Sequence, residues 1–115
     1  MLSHIRYRHL DPGWPASLSP LIAEEMLRRR MAFEGLIITD DLDMGAIAKH
    51  YALPVVVRQC LISGVDILLI CHPGPKIQEA RNLILSLRKD DPDIAFKEED
   101  SLRRILRFKH KYLGV

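Results

Sequence analysis

The stretch Gly35-Leu36-Ile37-Ile38-Thr39-Asp40-Asp41-Leu42-Asp43 decides the predicted fold. Its first five residues form a short apolar run with β-branched side chains, which is typical of a strand buried on both faces. A second run of this kind, Val65–Ile70, begins about 25 residues further on, and Leu2–Ile5 indicates the end of a third. That spacing fits a helical crossover between parallel strands. The sequence therefore predicts a parallel α/β sheet.

Helical signals fill the gaps between these runs. Ser19 precedes Pro20, which places a capping side chain before a residue suited to the first helical turn. Pro54 and Pro75 are further helix starts, and Gly64 is a helix end. The predicted helices span residues 20–30, 45–51 and 54–64, and Asp43 is expected to cap the second of them. A fourth helix is predicted to start at Pro75, and a last one contains Leu102 and Leu113. A polar linker over 89–100 is expected to separate these two.

Composition limits the classes of function. The chain has 115 residues and a net charge of +2, too small to indicate nucleic-acid or membrane binding. Apolar stretches are shorter than the ~20 residues of a transmembrane helix, and no signal peptide is expected. Cys60 and Cys71 each sit in an apolar run, so both are expected to be buried free thiols in a reducing cytoplasm.

The acids at positions 40, 41 and 43 follow the central run directly. Carboxylates at the carboxyl end of a parallel strand lie where α/β proteins build active sites. Asp43 has an ordinary structural explanation as a helix cap. Asp40 and Asp41 have none from the sequence, which makes them candidates for chemistry.

Five segments, in the same order, resemble those of glycoside hydrolase family 3 β-N-acetylhexosaminidases. The nucleophile segment of that family has a Gly-Phe-x-Gly, an apolar strand and Ser/Thr-Asp-Asp-Leu-x-Met, and here Ala32 replaces the first Gly. The other resemblances lie before and after this segment. They are Met1-Leu2-Ser3-His4-Ile5, Pro15-Ala16-Ser17-Leu18-Ser19-Pro20, Ser63-Gly64-Val65-Asp66 with its apolar run, and the final Arg103–Gly114.

The resemblance implies a fold and a mechanism. The fold would be a partial (β/α)8 TIM barrel with about three parallel strands and outer helices. Residues 1–115 would then be the C-terminal part of the catalytic barrel domain. The reaction would be a retaining hydrolysis of terminal β-linked N-acetylglucosamine, as in peptidoglycan turnover, without metal or cofactor.

The resemblance also assigns site residues. Asp40 corresponds to the nucleophile, and Asp41 and Met44 would lie at the sugar pocket. Asp41 would support the loop there by accepting backbone or side-chain hydrogen bonds. His4 either reaches that pocket or is a buried histidine paired with a neighbour. The saccharide would be the only ligand of the complete enzyme.

One element of the family pattern is absent from these 115 residues. The general acid/base of the family is a His in a Lys-His-Phe-Pro-Gly-His-Gly loop, and no such stretch occurs here. We therefore expect the chain alone to be inactive. Three strands would not close a barrel, so we also expect self-association through open sheet edges.

Two alternatives remain at this point. Asp41-Leu42-Asp43 is also similar to the Asp-x-Asp of haloacid dehalogenase-like phosphotransferases, which bind Mg²⁺ through carboxylates. The chain could also be a truncated remnant without enzymatic function. Mg²⁺-dependent phosphatase activity distinguishes the first alternative from a glycosidase.

Overall fold

The computed structural model describes residues 1–115 and contains helices but no β-strand or sheet. The three α-helices nearest the end of the chain pack against one another, and the first of them, Leu53–Ile62, also contacts the short 3₁₀ turn Ala16–Leu18. In chain order the elements are a 3₁₀ turn Ala16–Leu18, a π-helix Leu21–Arg30, α1 Gly45–Ala48, α2 Leu53–Ile62, α3 Pro75–Asp90 and α4 Pro92–Leu113.

The prediction of a partial (β/α)8 barrel with three parallel strands is wrong for this structure. The three extended segments meet only in two isolated parallel bridges, Leu2 with Thr39 and Ile38 with Ile67. A ladder fails to extend because side chains take backbone donors that a sheet needs. The Ile37 amide donates to Asp66 Oδ2 at 2.7 Å, and the Leu69 amide donates to Thr39 Oγ1 at 3.0 Å.

The helix predicted after Ser19 occupies the predicted residues, but it is wound as a π-helix. Ser19 Oγ accepts the Ile22 amide at 3.1 Å and donates to the buried Asp11 Oδ2 at 2.6 Å. The other Asp11 oxygen accepts the Gly13 and Trp14 amides. Ser19 therefore caps the helix, as predicted, and Asp11 ties the cap to the preceding loop.

Ser19→Ala is expected to lower the free energy of unfolding by about 1–2 kcal/mol, because it removes a cap and leaves Asp11 Oδ2 without its donor. Urea denaturation followed by circular dichroism measures the change. The matched control is Ser86→Ala, at an exposed position within α3, which should change stability by less than about 0.5 kcal/mol. Equal effects of the two variants would contradict the capping role.

The remaining helices differ from the sequence expectations at their ends. α2 begins one residue before Pro54, and Gly64 follows it with a φ of 75°. The polar linker predicted over 89–100 is wrong, because α3 runs to Asp90 and α4 begins at Pro92. Only Asp91 separates them, and its side chain accepts the Asp93 and Ile94 amides. Asp91 therefore caps a new helix that begins at Pro92, inside the segment that was predicted to be a linker.

The core is thin for a chain of this length, since only 22 of the 115 residues are buried. One cluster joins the extended segments to the π-helix and α2, and a smaller one lies between α2, α3 and α4. None of the helices combines the length and the apolar composition that a membrane span requires. With so little buried surface, individual buried polar contacts matter for stability.

Candidate active site

Asp40 is the first residue of the acidic loop, residues 40–43, which follows the central extended segment, residues 35–39. Its backbone amide donates to the Leu2 carbonyl at 2.9 Å, so the first segment fixes its main chain. One carboxylate oxygen, Oδ1, accepts the Asp41 amide at 2.8 Å. The other oxygen accepts no hydrogen bond from the protein, and the residue is half-buried. Asp40 thus has an oriented carboxylate with one oxygen available for chemistry.

Asp41 is anchored rather than available. Its Oδ1 accepts the Asp43 amide at 3.0 Å and the Cys71 amide at 3.1 Å. These backbone hydrogen bonds, that from Asp43 first, lower the pKa of the Asp41 carboxyl, and nearby His72 adds to the effect. The Asp41 carboxylate therefore stays ionised at neutral pH and ties the acidic loop to residue 71.

Asp43 does not cap α1, contrary to the sequence expectation, because Met44 occupies the N-cap position. The Asp43 carboxylate instead forms an ion pair with Lys76 Nζ at 2.5 Å. His72 Nδ1 lies 3.7 Å from Asp43 Oδ2. The first turn of α3 therefore neutralises one of the three neighbouring acids. Met44 is exposed beside them.

His4 contacts the acidic loop from its other side. Its Nε2 lies 2.7 Å from the carbonyl oxygen of Asp41, and its Nδ1 lies 2.7 Å from Ser17 Oγ. Both ring nitrogens are therefore engaged within the protein. The sequence-based alternatives for His4 were a sugar contact and a pairing with a neighbour, and in this structure the ring is paired.

Sequence reasoning assigned no role in the site to Ser17, Cys71, His72 or Lys76. The structure brings them to the loop from segments that lie 13 to 33 residues away from their contacts. For Cys71, His72 and Lys76, the one available signal was their position shortly after the extended run Val65–Ile70. Residues that follow neighbouring parallel segments converge at the same edge.

The two cysteines are free, and Cys71 is exposed although it was expected to be buried. Burial raises the pKa of Cys60 to about 12. Desolvation raises the pKa of Cys71, and the Asp41 carboxylate raises it further. Access therefore distinguishes the two thiols more than ionisation does.

Iodoacetamide at pH 8 should alkylate exposed Cys71 and leave Cys60 unmodified, because Cys60 is buried out of reach of the reagent. Burial also holds the pKa of Cys60 near 12, so only about 10⁻⁴ of this thiol is ionised at pH 8. Asp41→Asn should speed up the reaction of Cys71, since removing the nearby charge lowers its pKa. Peptide mass spectrometry over time measures both rates. Comparable labelling of Cys60 in the folded chain would contradict the burial argument, and urea should abolish the difference.

Comparison with family models gives a match to the glycosyl hydrolase family 3 N-terminal domain over residues 1–108. The match includes the acidic loop and every segment that contacts it. The chain belongs to glycosyl hydrolase family 3. This membership decides against the haloacid dehalogenase-like alternative. In that alternative Asp41 and Asp43 would bind Mg²⁺, whereas here they bind backbone amides and Lys76.

Curated relatives of this family 3 chain are β-hexosaminidases. That of Stenotrophomonas maltophilia K279a is 34% identical over 73 residues, which are 64% of this chain and 22% of the relative. That of Alkalilimnicola ehrlichii is 38% identical over 74 residues, 64% of this chain and 21% of the relative. The matched portion of the chain thus corresponds to about a fifth of the length of these relatives.

Two solved structures superpose on most of this chain. The β-N-acetylglucosaminidase from Thermotoga maritima superposes on 92% of this chain with a TM-score of 0.84 and 26% identity, and the match covers 23% of that enzyme. The β-N-acetylhexosaminidase from Beutenbergia cavernae superposes on 95% of the chain with a TM-score of 0.81 and 26% identity, covering 31% of that enzyme.

Proposed function

We propose that this chain carries the nucleophile segment of a retaining β-N-acetylhexosaminidase, with Asp40 as the nucleophile. The observation that carries the proposal is that the three carboxylates differ in their protein partners. Asp41 and Asp43 are held by backbone amides and by Lys76, whereas Asp40 keeps one carboxylate oxygen without a protein donor. An ionised, oriented carboxylate is what nucleophilic attack on a sugar requires.

The reaction has two steps. An oxygen of Asp40 forms a bond to the anomeric carbon, the glycosidic C–O bond breaks, and the leaving oxygen takes a proton from a general acid. Water then attacks the anomeric carbon, gives up a proton to the same group, and releases Asp40 as a carboxylate. The chain has no Lys-His-Phe-Pro-Gly-His-Gly stretch, so that group belongs to the rest of a complete enzyme.

The substrate class rests on the relatives. Relatives that are similar in sequence or in structure are named β-hexosaminidases and β-N-acetylglucosaminidases. We therefore place terminal β-linked N-acetylglucosamine in the site, with peptidoglycan fragments as its natural source. In this proposal residues 1–115 are the C-terminal part of the catalytic domain. Exposed Met44, next to the acids, borders the sugar pocket, and Asp41 supports the loop.

A covalent trap tests the assignment of the nucleophile. The chain would replace the matching segment of the Stenotrophomonas maltophilia enzyme, and the chimera would be treated with a 5-fluoro N-acetylglucosaminyl donor. Trypsin should release residues 31–49 as one peptide that contains all three acids, and fragmentation locates the label. Label on Asp40 supports the proposal. Label on Asp41 or Asp43 would show that another carboxylate is the nucleophile.

The 115-residue chain alone is expected to leave 4-nitrophenyl N-acetyl-β-glucosaminide uncleaved above background. The reason is the lack of the acid/base loop, whose loss costs roughly 10²–10⁴-fold, together with the lack of the rest of the sugar site. Release of 4-nitrophenol from freshly purified chain measures the rate, with the chimera as positive control. Turnover near 1–10³ s⁻¹ would show that the chain is a complete enzyme.

A further inference from the structure

The segment that begins the chain contacts the acidic loop at two successive points. The Leu2 carbonyl accepts the Asp40 amide at 2.9 Å, and two residues later His4 Nε2 lies 2.7 Å from the Asp41 carbonyl. In a parallel pair, alternate residues of one strand bond to the other. Here the backbone supplies the first contact and an imidazole ring supplies the next. The His4 side chain thus extends the hydrogen bonding between the two segments by one contact beyond the last backbone hydrogen bond.

The contacts of His4 determine which ring nitrogen carries hydrogen. A carbonyl oxygen can only accept, so Nε2 of His4 must donate to Asp41. In the neutral ring Nδ1 then accepts, and the donor is the hydroxyl of Ser17, a completely buried residue. Ser17 therefore fixes both the tautomer and the orientation of the ring.

Asp41 connects this pair to Asp40. Its carbonyl accepts from His4 and from the Met44 amide at 3.1 Å, and its own amide donates to Asp40 Oδ1 at 2.8 Å. A rotation of the Asp41 backbone would therefore break its contact with His4 and release the Asp40 carboxylate together. Lys76 acts further along the loop, on Asp43, and does not contact this backbone.

We propose that His4, oriented by Ser17, is a positioning residue that aims the Asp40 carboxylate through the backbone of Asp41. The inference rests on the proposed function, because the aim of Asp40 matters only if Asp40 reacts. It assigns His4 a role in the reaction without contact with the sugar. Support of a reacting group by a locked hydrogen-bonded neighbour is the general requirement of a preorganised site.

Nuclear magnetic resonance of the ¹⁵N-labelled 115-residue chain tests the proposal without turnover. Long-range ¹H–¹⁵N correlation should show His4 protonated on Nε2 and unprotonated on Nδ1. In His4→Ala, hydrogen exchange of the Met44 amide should accelerate by roughly 3- to 10-fold, the change expected for the loss of one hydrogen bond. The Ile37 amide, bonded to Asp66, should keep its rate.

Two conservative variants separate positioning from packing. His4→Gln places an N–H near the position of Nε2 and should restore slow exchange of Met44. His4→Asn is too short to reach the Asp41 carbonyl and should behave like His4→Ala. His9→Gln is the matched control, at an exposed histidine five residues after His4, and should leave the exchange rate of the Met44 amide unchanged.

Protonation of His4 on Nδ1, or equal exchange in His4→Gln and His4→Asn, would overturn the proposal. If a variant does not fold, the tautomer of His4 in the unsubstituted chain still tests the proposed hydrogen bond from Nε2 to Asp41. None of these measurements depends on hydrolysis. A failure of the covalent trap on Asp40 would therefore refute the proposed function and leave the contacts of His4 as they are.

Discussion

Asp40→Asn, made in the chimeric enzyme, is expected to lower kcat by roughly 10⁴–10⁶-fold, the range seen when the nucleophile of a covalent mechanism is removed. Asn has the same size, and its side-chain oxygen can still accept the Asp41 amide. The loop should therefore keep its shape while the attacking charge is lost. KM should change little, since the substitution removes a group that acts in the transition state.

Steady-state rates with 4-nitrophenyl N-acetyl-β-glucosaminide measure the loss, and Asp43→Asn provides the matched control. Asp43 lies three residues away, carries the same group and is already paired with Lys76. Its substitution should cost less than about tenfold, the scale of one surface ion pair. Azide should restore turnover of Asp40→Gly, because a small anion can occupy the vacated space and attack the sugar. Rescue at position 41 instead of 40 would identify a different nucleophile.

The sequence predicted the parts of this structure that depend on local chemistry. Ser19 before Pro20 gave a correct helix start, because a cap and a fixed φ act within one turn. The acids after the central run were correctly expected to be next to one another, since four residues of chain cannot separate them. The resemblance gave Asp41 a supporting role in the loop, but the partners of Asp41 and Asp43 at residues 71 and 76 could not be predicted from the local sequence.

The strand prediction shows where an apolar pattern is insufficient. The runs around Ile37 and Ile67 lie side by side but share a single parallel bridge, between Ile38 and Ile67, instead of the predicted sheet. Whether such runs form a ladder depends on where each amide finds an acceptor. The side chains of Thr39 and Asp66 compete successfully with backbone carbonyls here. Nothing in the alternation of apolar residues reveals that competition.

Asp66 makes the contact with the largest expected effect on stability. Its side chain is completely buried, and its two oxygens accept four donors. Oδ2 accepts Arg28 at 2.5 Å and the Ile37 amide at 2.7 Å, and Oδ1 accepts Ser101 Oγ at 2.6 Å and Arg104 Nε at 2.8 Å. One carboxylate thereby joins the π-helix, the central segment and α4.

Asp66→Ala is expected to lower the free energy of unfolding by about 3–5 kcal/mol, the cost of removing one partner from a buried ion pair. The loss would leave two half-buried guanidinium groups and a buried backbone amide without their acceptor. Burial already lowers the pKa of Arg28, and the Asp66 carboxylate opposes that effect. Without Asp66, nothing would offset the cost of burying the Arg28 charge as this carboxylate does.

Urea denaturation of the 115-residue chain measures the change, with Asp90→Ala as the matched control. Asp90 is an exposed acid near the end of α3, and its substitution should alter stability by less than about 0.5 kcal/mol. Asp66→Asn should be intermediate, because an amide keeps one acceptor oxygen but directs its N–H groups at other donors. A loss below 1 kcal/mol in Asp66→Ala would mean that Arg28 and Arg104 find other partners. The contact between α4 and the π-helix would then not depend on the carboxylate.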